Sequence, residues 1–350
     1  MKAAVIRSDG AGKRLSIEEV ATPNVGERDI LVRVLRAGIC GSDLHGLLDA
    51  NDTSRAPGLI MGHEIVGEVA EVGNLVPAAS FGGRVFIDPQ IHCGTCTACQ
   101  SGWHSICERK QGLGSSRRGM IHGGFAEYVL VRQEQVVAVP EGVPLKLAAL
   151  IEPLANGLHV RRRADPSPGD LVVVLGAGTL GLSIIQAFAA AGIERIVATD
   201  LSREKLGLAA DLGASHTVDG AGAGLVDLVA ELSDGAGADV VVEAVGVTTT
   251  YNQALSVVRR RGKVLFFGAV VPTIELELIP ILHKELLLIG CTGFNEESKE
   301  AIDLIAHGAV DPTRLVTHEF SLEQAQEAMD TLADPASGAV KVLLRPGLEE

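Results

Sequence analysis

Four cysteines crowd one short stretch of this chain in the pattern Cys93-x2-Cys96-x2-Cys99-x7-Cys107, with Gly94 and Gly102 available for turns. Four thiolates at such spacing suit a tetrahedral structural zinc with no coordination position left open. An iron–sulfur cluster is the competing reading, but its common bacterial run ends C-x3-C-P. Here the last gap is longer and Glu108 follows Cys107. His104, inside the lobe, reads as a bystander. The two other cysteines, Cys40 and Cys291, stand apart. Clustering of this kind, in a long chain whose N-terminus does not read as a secretory signal, favours metal ligation over disulfides and points to the cytoplasm.

A second set of candidate ligands is dispersed. Cys40-Gly41-Ser42-Asp43-Leu44-His45 precedes Gly62-His63-Glu64, and Glu152-Pro153 follows much later. A catalytic zinc takes mixed N, S and O ligands and keeps a position for substrate or water. Cys40, His63 and Glu152 could supply such a set, with Glu64 as a donor that binds in exchange. Taken singly, each has an ordinary reading: a buried thiol, a core histidine, a helix-terminal acid. Spacing alone does not join them.

The third constellation is Gly176-Ala177-Gly178-Thr179-Leu180-Gly181, a match to G-x-G-x-x-G. The pattern gains weight from its context, directly after a β-branched strand and at the start of a helix. Gly176 permits the tight turn, Gly178 lets backbone approach a pyrophosphate, and Gly181 lets helix and strand pack closely. The N–H groups around Thr179 and Leu180 would then face the phosphates. Asp200 ends the next strand, about twenty residues further on, where a carboxylate hydrogen-bonds the ribose hydroxyls and repels a 2′-phosphate. That favours NAD over NADP, although Arg203 stands nearby.

These groups need a scaffold, and the hydrophobic pattern supplies two kinds. Up to about residue 150 the chain is rich in short β-like runs and glycine turns, such as residues 30–35, 65–72, 84–87 and 128–131. Residues 144–163 read as helical on both sides of Pro153 and would connect two domains. From Leu171 onward strand and helix alternate: LVVVL (171–175), a helix 179–191, RIVAT (195–199), then a helix capped by Ser202. Further strands fall at 216–218, 240–242, 263–267 and 286–289. Continuous apolar strands alternating with helices mean a parallel sheet covered on both faces. Beyond Gly290 the tail reads as mostly helix with a last strand at 340–344, returning to the first domain.

Composition limits the function. The 350-residue chain is 47% hydrophobic and 21% charged, ordinary values for a globular protein. A net charge of −14 argues against nucleic acid as a partner. The uncharged stretch from Leu171 to Ile193 is broken by glycines and changes period midway, so it reads as a buried strand and helix and not as a membrane span.

Together the motifs resemble the zinc-dependent medium-chain dehydrogenases, especially the polyol, butanediol and threonine dehydrogenase branch, over essentially the whole length. The carriers are CGSDLH (40–45), GHE (62–64), the four-cysteine lobe, GGFAEY (123–128), IEPLA (151–155) and the GAGTLG turn. The resemblance implies an α/β protein. A GroES-like, β-rich catalytic domain would take residues 1–153 and 292–350, and a Rossmann doubly wound parallel sheet residues 154–291. It implies Cys40, His63 and Glu152 as catalytic-zinc ligands with Glu64 as ligand or near-ligand, and Asp43 as the carboxylate that orients His63. Ser42 and His45 resemble a proton relay from substrate oxygen to solvent. The implied reaction moves a hydride from a secondary alcohol, diol or polyol to NAD, with one catalytic and one structural zinc per chain.

Within that branch, sorbitol dehydrogenases usually carry a tyrosine just after CGSDxH and an arginine after the last Rossmann strand, where this chain has Gly46 and Gly293. Their loss suggests a roomier or less polar pocket. Phe294 stands where the threonine branch tends to have arginine, which counts against threonine. The apolar strand near 286–289 would form a sheet edge that invites pairing, so a homodimer or homotetramer is expected. The alternatives are a threonine dehydrogenase-like enzyme, a zinc-free quinone reductase and a non-catalytic NAD-binding sensor. The joint presence of Cys40, Ser42, His63 and Glu152 favours the zinc enzyme.

Overall fold

A computed structural model describes residues 1–8, 12–77, 81, 83–220 and 224–347. The chain opens with β1 (Lys2–Ser8) and β2 (Lys13–Glu19), paired antiparallel. Next come β3 (Asp29–Ile39), helix α1 (Gly41–Leu48), β4 (Glu64–Val72) and β5 (Arg84–Ile87). The cysteine lobe carries β6 (Gln90–Ile91), the short helix α2 (Thr97–Gln100) and β7 (Gln111–Gly112). β8 (Tyr128–Arg132), β9 (Val136–Ala138) and α3 (Leu145–Ala148) lead to α4 (Ile151–Ala164). The sequence suggested helix on both sides of Pro153. The structure has helix on both sides, α3 before it and α4 through it; α4 begins at Ile151, so the proline falls in its first turn, where a missing N–H costs no intrahelical bond.

The second part alternates regularly. β10 (Leu171–Leu175) is followed by α5 (Thr179–Ala190), β11 (Arg195–Asp200), α6 (Arg203–Asp211), β12 (His216–Asp219) and α7 (Gly224–Leu232). β13 (Ala238–Glu243), α8 (Thr248–Val257), β14 (Val258–Phe266), α9 (Leu278–His283) and β15 (Leu287–Gly290) complete it. The strands form one sheet in the order β12-β11-β10-β13-β14-β15, every pairing parallel. This is the doubly wound order, with the reversal between β10 and β13. All five residues of β10 are buried, as a strand covered on both faces must be. Each such Val or Leu contributes roughly 1.5–3 kcal/mol of apolar burial.

The tail holds α10 (Glu297–Ala306), β16 (Val316–Ser321), α11 (Ala325–Ala333) and β17 (Lys341–Arg345). β16 is an addition to the expected helical tail; its charged and polar residues hide the strand until β17 is placed beside it. β16 and β17 join a second sheet in the order β16-β17-β3-β4-β5-β9, with β8 also on β3. Its core gathers Ile30, Val32, Val34, Ile65, Val85 and Val342. By contacts the chain divides into two units. One comprises Met1–Glu152, Ile302–Gly308 and Val316–Glu350, and the other Pro153–Ala301 and Ala309–Leu315.

Candidate active site and metal centres

In the cysteine lobe the four sulfurs converge, with every ligand atom of Cys93, Cys96, Cys99 and Cys107 within 4.8 Å of the others. The Sγ separations are 3.9 Å for Cys93–Cys99, 3.5 Å for Cys96–Cys99 and 3.9 Å for Cys96–Cys107. A tetrahedron with Zn–S bonds of about 2.3 Å has edges of about 3.8 Å, so the cage has the size zinc requires. All six cysteines are free. Backbone N–H groups aim at the sulfurs: Cys93 N donates to Cys107 Sγ at 3.3 Å, and Cys96 N to Cys93 Sγ at 3.4 Å. The N–H groups of Thr95 and Cys96, with the Arg109 guanidinium, hold the Cys93 thiol down at about 4. Burial and the neighbouring sulfurs push Cys99 up to about 12. All four sulfurs can ionise together at this spacing only with a cation among them. His104 stays outside this set and stacks on His92, ring centroids 4.0 Å apart.

The dispersed set is brought together in part. Cys40 caps the start of α1, His63 immediately precedes β4, and Glu64 is the first residue of β4. The ligand atoms of Cys40, His63 and Glu64 lie within 4.8 Å of one another. Glu152 does not belong to that group; it lies buried in the first turn of α4. Ser42 and His45 are both exposed on α1, three residues apart and so on one helix face.

Asp43, fully buried, organises this corner. Its Oδ1 lies 3.5 Å from His63 Nδ1, and its Oδ2 accepts the Cys40 N–H at 3.3 Å. Burial alone would raise the Asp43 carboxyl, but His63, the Arg55 guanidinium and the Cys40 N–H hold it well below the usual carboxylate range. Burial likewise opposes charge on His63, and Asp43 outweighs it, raising the imidazole well above its ordinary value. A proton kept on Nδ1 by Asp43 leaves Nε2 as the atom for a metal, the arrangement that fixes a ligating imidazole. Arg55 donates to Asp43 Oδ1 through Nη2 at 3.0 Å. Its stem also explains Gly46: a Cβ there would meet Arg55 Cγ at 2.3 Å.

Sequence reasoning missed the partner of Glu64. Lys341 on β17 places Nζ 2.7 Å from both Glu64 oxygens and 3.0 Å from the Ile39 carbonyl. Both side chains are 1% exposed. Burial disfavours the ammonium, but Glu64 and then Cys40 outweigh it and raise the Lys341 pKa. The pair thus ties the residue before Cys40 to the residue after His63. Register makes it possible, since Gly38 faces Glu64 and Ile39 faces Val342. The carboxylate also crowds Gly38, where a Cβ would lie 1.9 Å from Glu64 Oε2.

In the parallel sheet, the glycine turn joins β10 to α5. Gly176 has φ +96, which a side chain would strain, and a Cβ on Gly181 would lie 1.8 Å from the Gly176 carbonyl. Gly178 caps α5, whose first residues Thr179 and Leu180 carry N–H groups at the helix start. Asp200 accepts the Ala177 N–H at 2.8 Å and the Ser202 N–H at 2.9 Å. Its carboxylate is thereby fixed beside the turn, with lone pairs left for a ribose. The residues present fit zinc and a dinucleotide: a sulfur cage sized for zinc, a mixed N/S/O corner, and a glycine turn at a helix start whose Gly178 leaves open space beside it. Among the described residues no helix is long and apolar enough to cross a membrane.

Comparison with known proteins agrees with this architecture. Residues 26–141 match the alcohol dehydrogenase GroES-like domain, and residues 179–307 the zinc-binding dehydrogenase domain. The sorbitol dehydrogenase of Bacillus subtilis (strain 168) is 32% identical over 99% of this chain and 97% of its own. An L-threonine 3-dehydrogenase of Symbiobacterium thermophilum is 33% identical over 98% of each chain. The solved structure of a zinc-binding dehydrogenase from Sinorhizobium meliloti 1021, bound to NADP, superposes with a TM-score of 0.88 at 33% identity over 99% of each chain. On sequence and fold together, the chain belongs to the zinc-dependent medium-chain dehydrogenases, as an alcohol-dehydrogenase-type oxidoreductase that works with zinc and a nicotinamide dinucleotide.

Proposed function

We propose that the protein oxidises a vicinal diol, polyol or other secondary alcohol to the ketone with NAD, using Cys40 and His63 as fixed zinc ligands and Glu64 or Glu152 as the third donor. The observation that carries this reading is the convergence of Cys40, His63 and Glu64 beside a buried Asp43 aimed at His63. Zinc held there would supply Lewis-acid polarisation of a substrate hydroxyl, and bound NAD the hydride acceptor. The chain's own part is to hold His63 in one tautomer through Asp43 and to carry the hydroxyl proton outward. Ser42 and His45, exposed on the same face of α1, receive that proton and hand it to solvent. Gly176, Gly178, Thr179, Leu180 and Gly181 seat the pyrophosphate, and Asp200 the adenosine ribose. Asp200 disfavours a 2′-phosphate by charge.

L-threonine is the second reading, favoured by the name of the Symbiobacterium thermophilum relative. Against it, Phe294 is fully buried and offers no charge to an amino-acid carboxylate. One assay separates these readings: NADH formation over a panel of diols, polyols, simple secondary alcohols and threonine, repeated with NADP. A diol or polyol should give the highest kcat/KM, with NAD preferred. Threonine in first place would overturn the substrate reading, and equal use of NADP the role of Asp200.

The assembly we infer is a homodimer or homotetramer joined through β15. That strand is the sheet edge, and Leu287 and Leu288 on it, with Leu278, Ile279 and Leu282 on α9, are exposed. An apolar edge left open invites pairing with a second copy. Leu287→Lys with Leu288→Lys should lower the sedimentation coefficient toward the monomer value; an unchanged coefficient would contradict this interface. The six cysteines, none of them in a disulfide, suit the cytoplasm as the compartment.

A further inference from the structure

Glu243 ends β13 and is fully buried. Its Oε1 accepts three hydrogen bonds, from Val245 N at 3.0 Å, Gly246 N at 2.8 Å and Thr250 Oγ1 at 2.6 Å. Its main-chain carbonyl accepts from Phe267 N and Gly268 N, each at 3.1 Å. One residue thereby grips both the loop leaving its own strand and the loop leaving β14.

The two loops touch along their backbones. A Cβ on Gly246 would meet Ala269 N and Val270 N at 2.5 Å, and one on Gly268 would meet Gly246 N at 2.4 Å. The Glu243-held loop also abuts the dinucleotide turn, since a Cβ on Gly176 would lie 2.7 Å from Val245 Cγ2. Tyr251 Oη donates to the Gly268 carbonyl and fastens the second loop from the other side.

Among the described residues the second carboxylate oxygen, Oε2, is buried and has no hydrogen-bond partner. It points at Gly268, 2.7 Å from where a Cβ would stand. Leaving a buried polar atom unsatisfied costs on the order of 1–3 kcal/mol. Most buried polar side-chain atoms are paired, and an exception calls for an explanation.

Strand order supplies that account. β11, ending in Asp200, lies on one side of β10, and β13 and β14 lie on the other. A dinucleotide in such a sheet spans the crevice at the reversal, one mononucleotide half over each side. With the adenosine half at Asp200, the nicotinamide half falls over the ends of β13 and β14. We propose that Glu243 is a positioning residue for the nicotinamide half, its carboxylate setting the 245–246 and 268–270 loops that bound that part of the crevice. The inference rests on the dinucleotide reading of the glycine turn.

Fluorescence titration of the purified protein with NADH, and competition with ADP-ribose, which lacks the nicotinamide, tests this. Glu243→Ala should weaken NADH binding about tenfold or more while ADP-ribose binding stays within about twofold. Glu243→Gln, which can still accept the loop N–H groups, should recover most of the loss. Should Glu243→Ala fail to fold, Thr250→Val replaces it and should shift the NADH to ADP-ribose affinity ratio in the same direction. Equal weakening of both ligands, or of neither, would overturn the proposal. Wild-type protein that binds neither ligand would instead overturn the reading of the glycine turn.

Discussion

Replacing Cys40 by Ser should lower turnover by about a thousandfold or more, while NADH binding, read by fluorescence, stays near the wild-type value. Losing an outer-shell partner of a metal ligand typically costs 10–100-fold in metal affinity or activity, and Cys40 is proposed as a ligand itself. Its Sγ, His63 and Glu64 form a group within 4.8 Å, and a hydroxyl is a much poorer zinc donor than a thiolate. The nucleotide turn, by contrast, draws on residues 176–181 and Asp200, remote in sequence from Cys40. The zinc content of Cys40→Ser should fall by one ion per chain, because the four-cysteine cage draws on none of the same residues. Near-normal turnover in protein verified to carry its metal would remove Cys40 from the ligand set.

Replacing Lys341 by Met should cost stability more than any surface substitution in the chain. Lys341 and Glu64 form a buried pair, each 1% exposed, and removing one partner leaves the other charge uncompensated. Such breaks cost about 3–5 kcal/mol, which for a unit of this size corresponds to a fall in Tm on the order of 10 °C. The double variant Lys341→Met/Glu64→Gln should recover much of that loss, since no buried charge remains. A shift of under about 2 °C in the single variant, measured by scanning calorimetry, would show that the pair is not needed for stability. The damage should reach the metal site too. Lys341 Nζ bonds the Ile39 carbonyl as well as Glu64, the residues adjoining Cys40 and His63.

Much of the scaffold is legible in the sequence for a physical reason. The run LVVVL is a strand at residues 171–175, because β-branched residues bounded by Asp170 and Gly176 leave no other way to bury both faces. The strand at 84–87 and the start of α5 at Thr179 are equally local. The four-cysteine lobe depends on nearby residues alone, so spacing suffices. What local pattern hides is whatever register creates. Lys341 meets Glu64 from 277 positions away, and only the pairing of β17 with β3 and of β3 with β4 brings them together. Arg55 reaches Asp43 from twelve positions further on, yet in the sequence it is one arginine among many. β1 and β2 mix charged and apolar residues and become strands through each other. Glu243 shows no signal in the sequence beyond closing a strand; its three accepted hydrogen bonds depend on the loop that follows it.

The candidate active site divides in the same way. Asp43 is legible as the partner of His63 only through the likeness of CGSDLH to a known segment, because nothing in the spacing of 43 and 63 demands contact. The structure brings Cys40, His63 and Glu64 together and leaves Glu152 outside the group. Glu64, meanwhile, is held by Lys341. Glu64 as third donor would therefore share its carboxylate between the metal and Lys341. Two kinds of ligand group thus coexist: a lobe with four sulfurs, which fill a tetrahedron, and a mixed corner with three donors, one short of four.

The most direct test of that distinction is elemental analysis of protein purified without added metal. Two zinc ions per chain, one for each ligand group, are the predicted result. A single zinc, or iron accompanied by acid-labile sulfide, would contradict it.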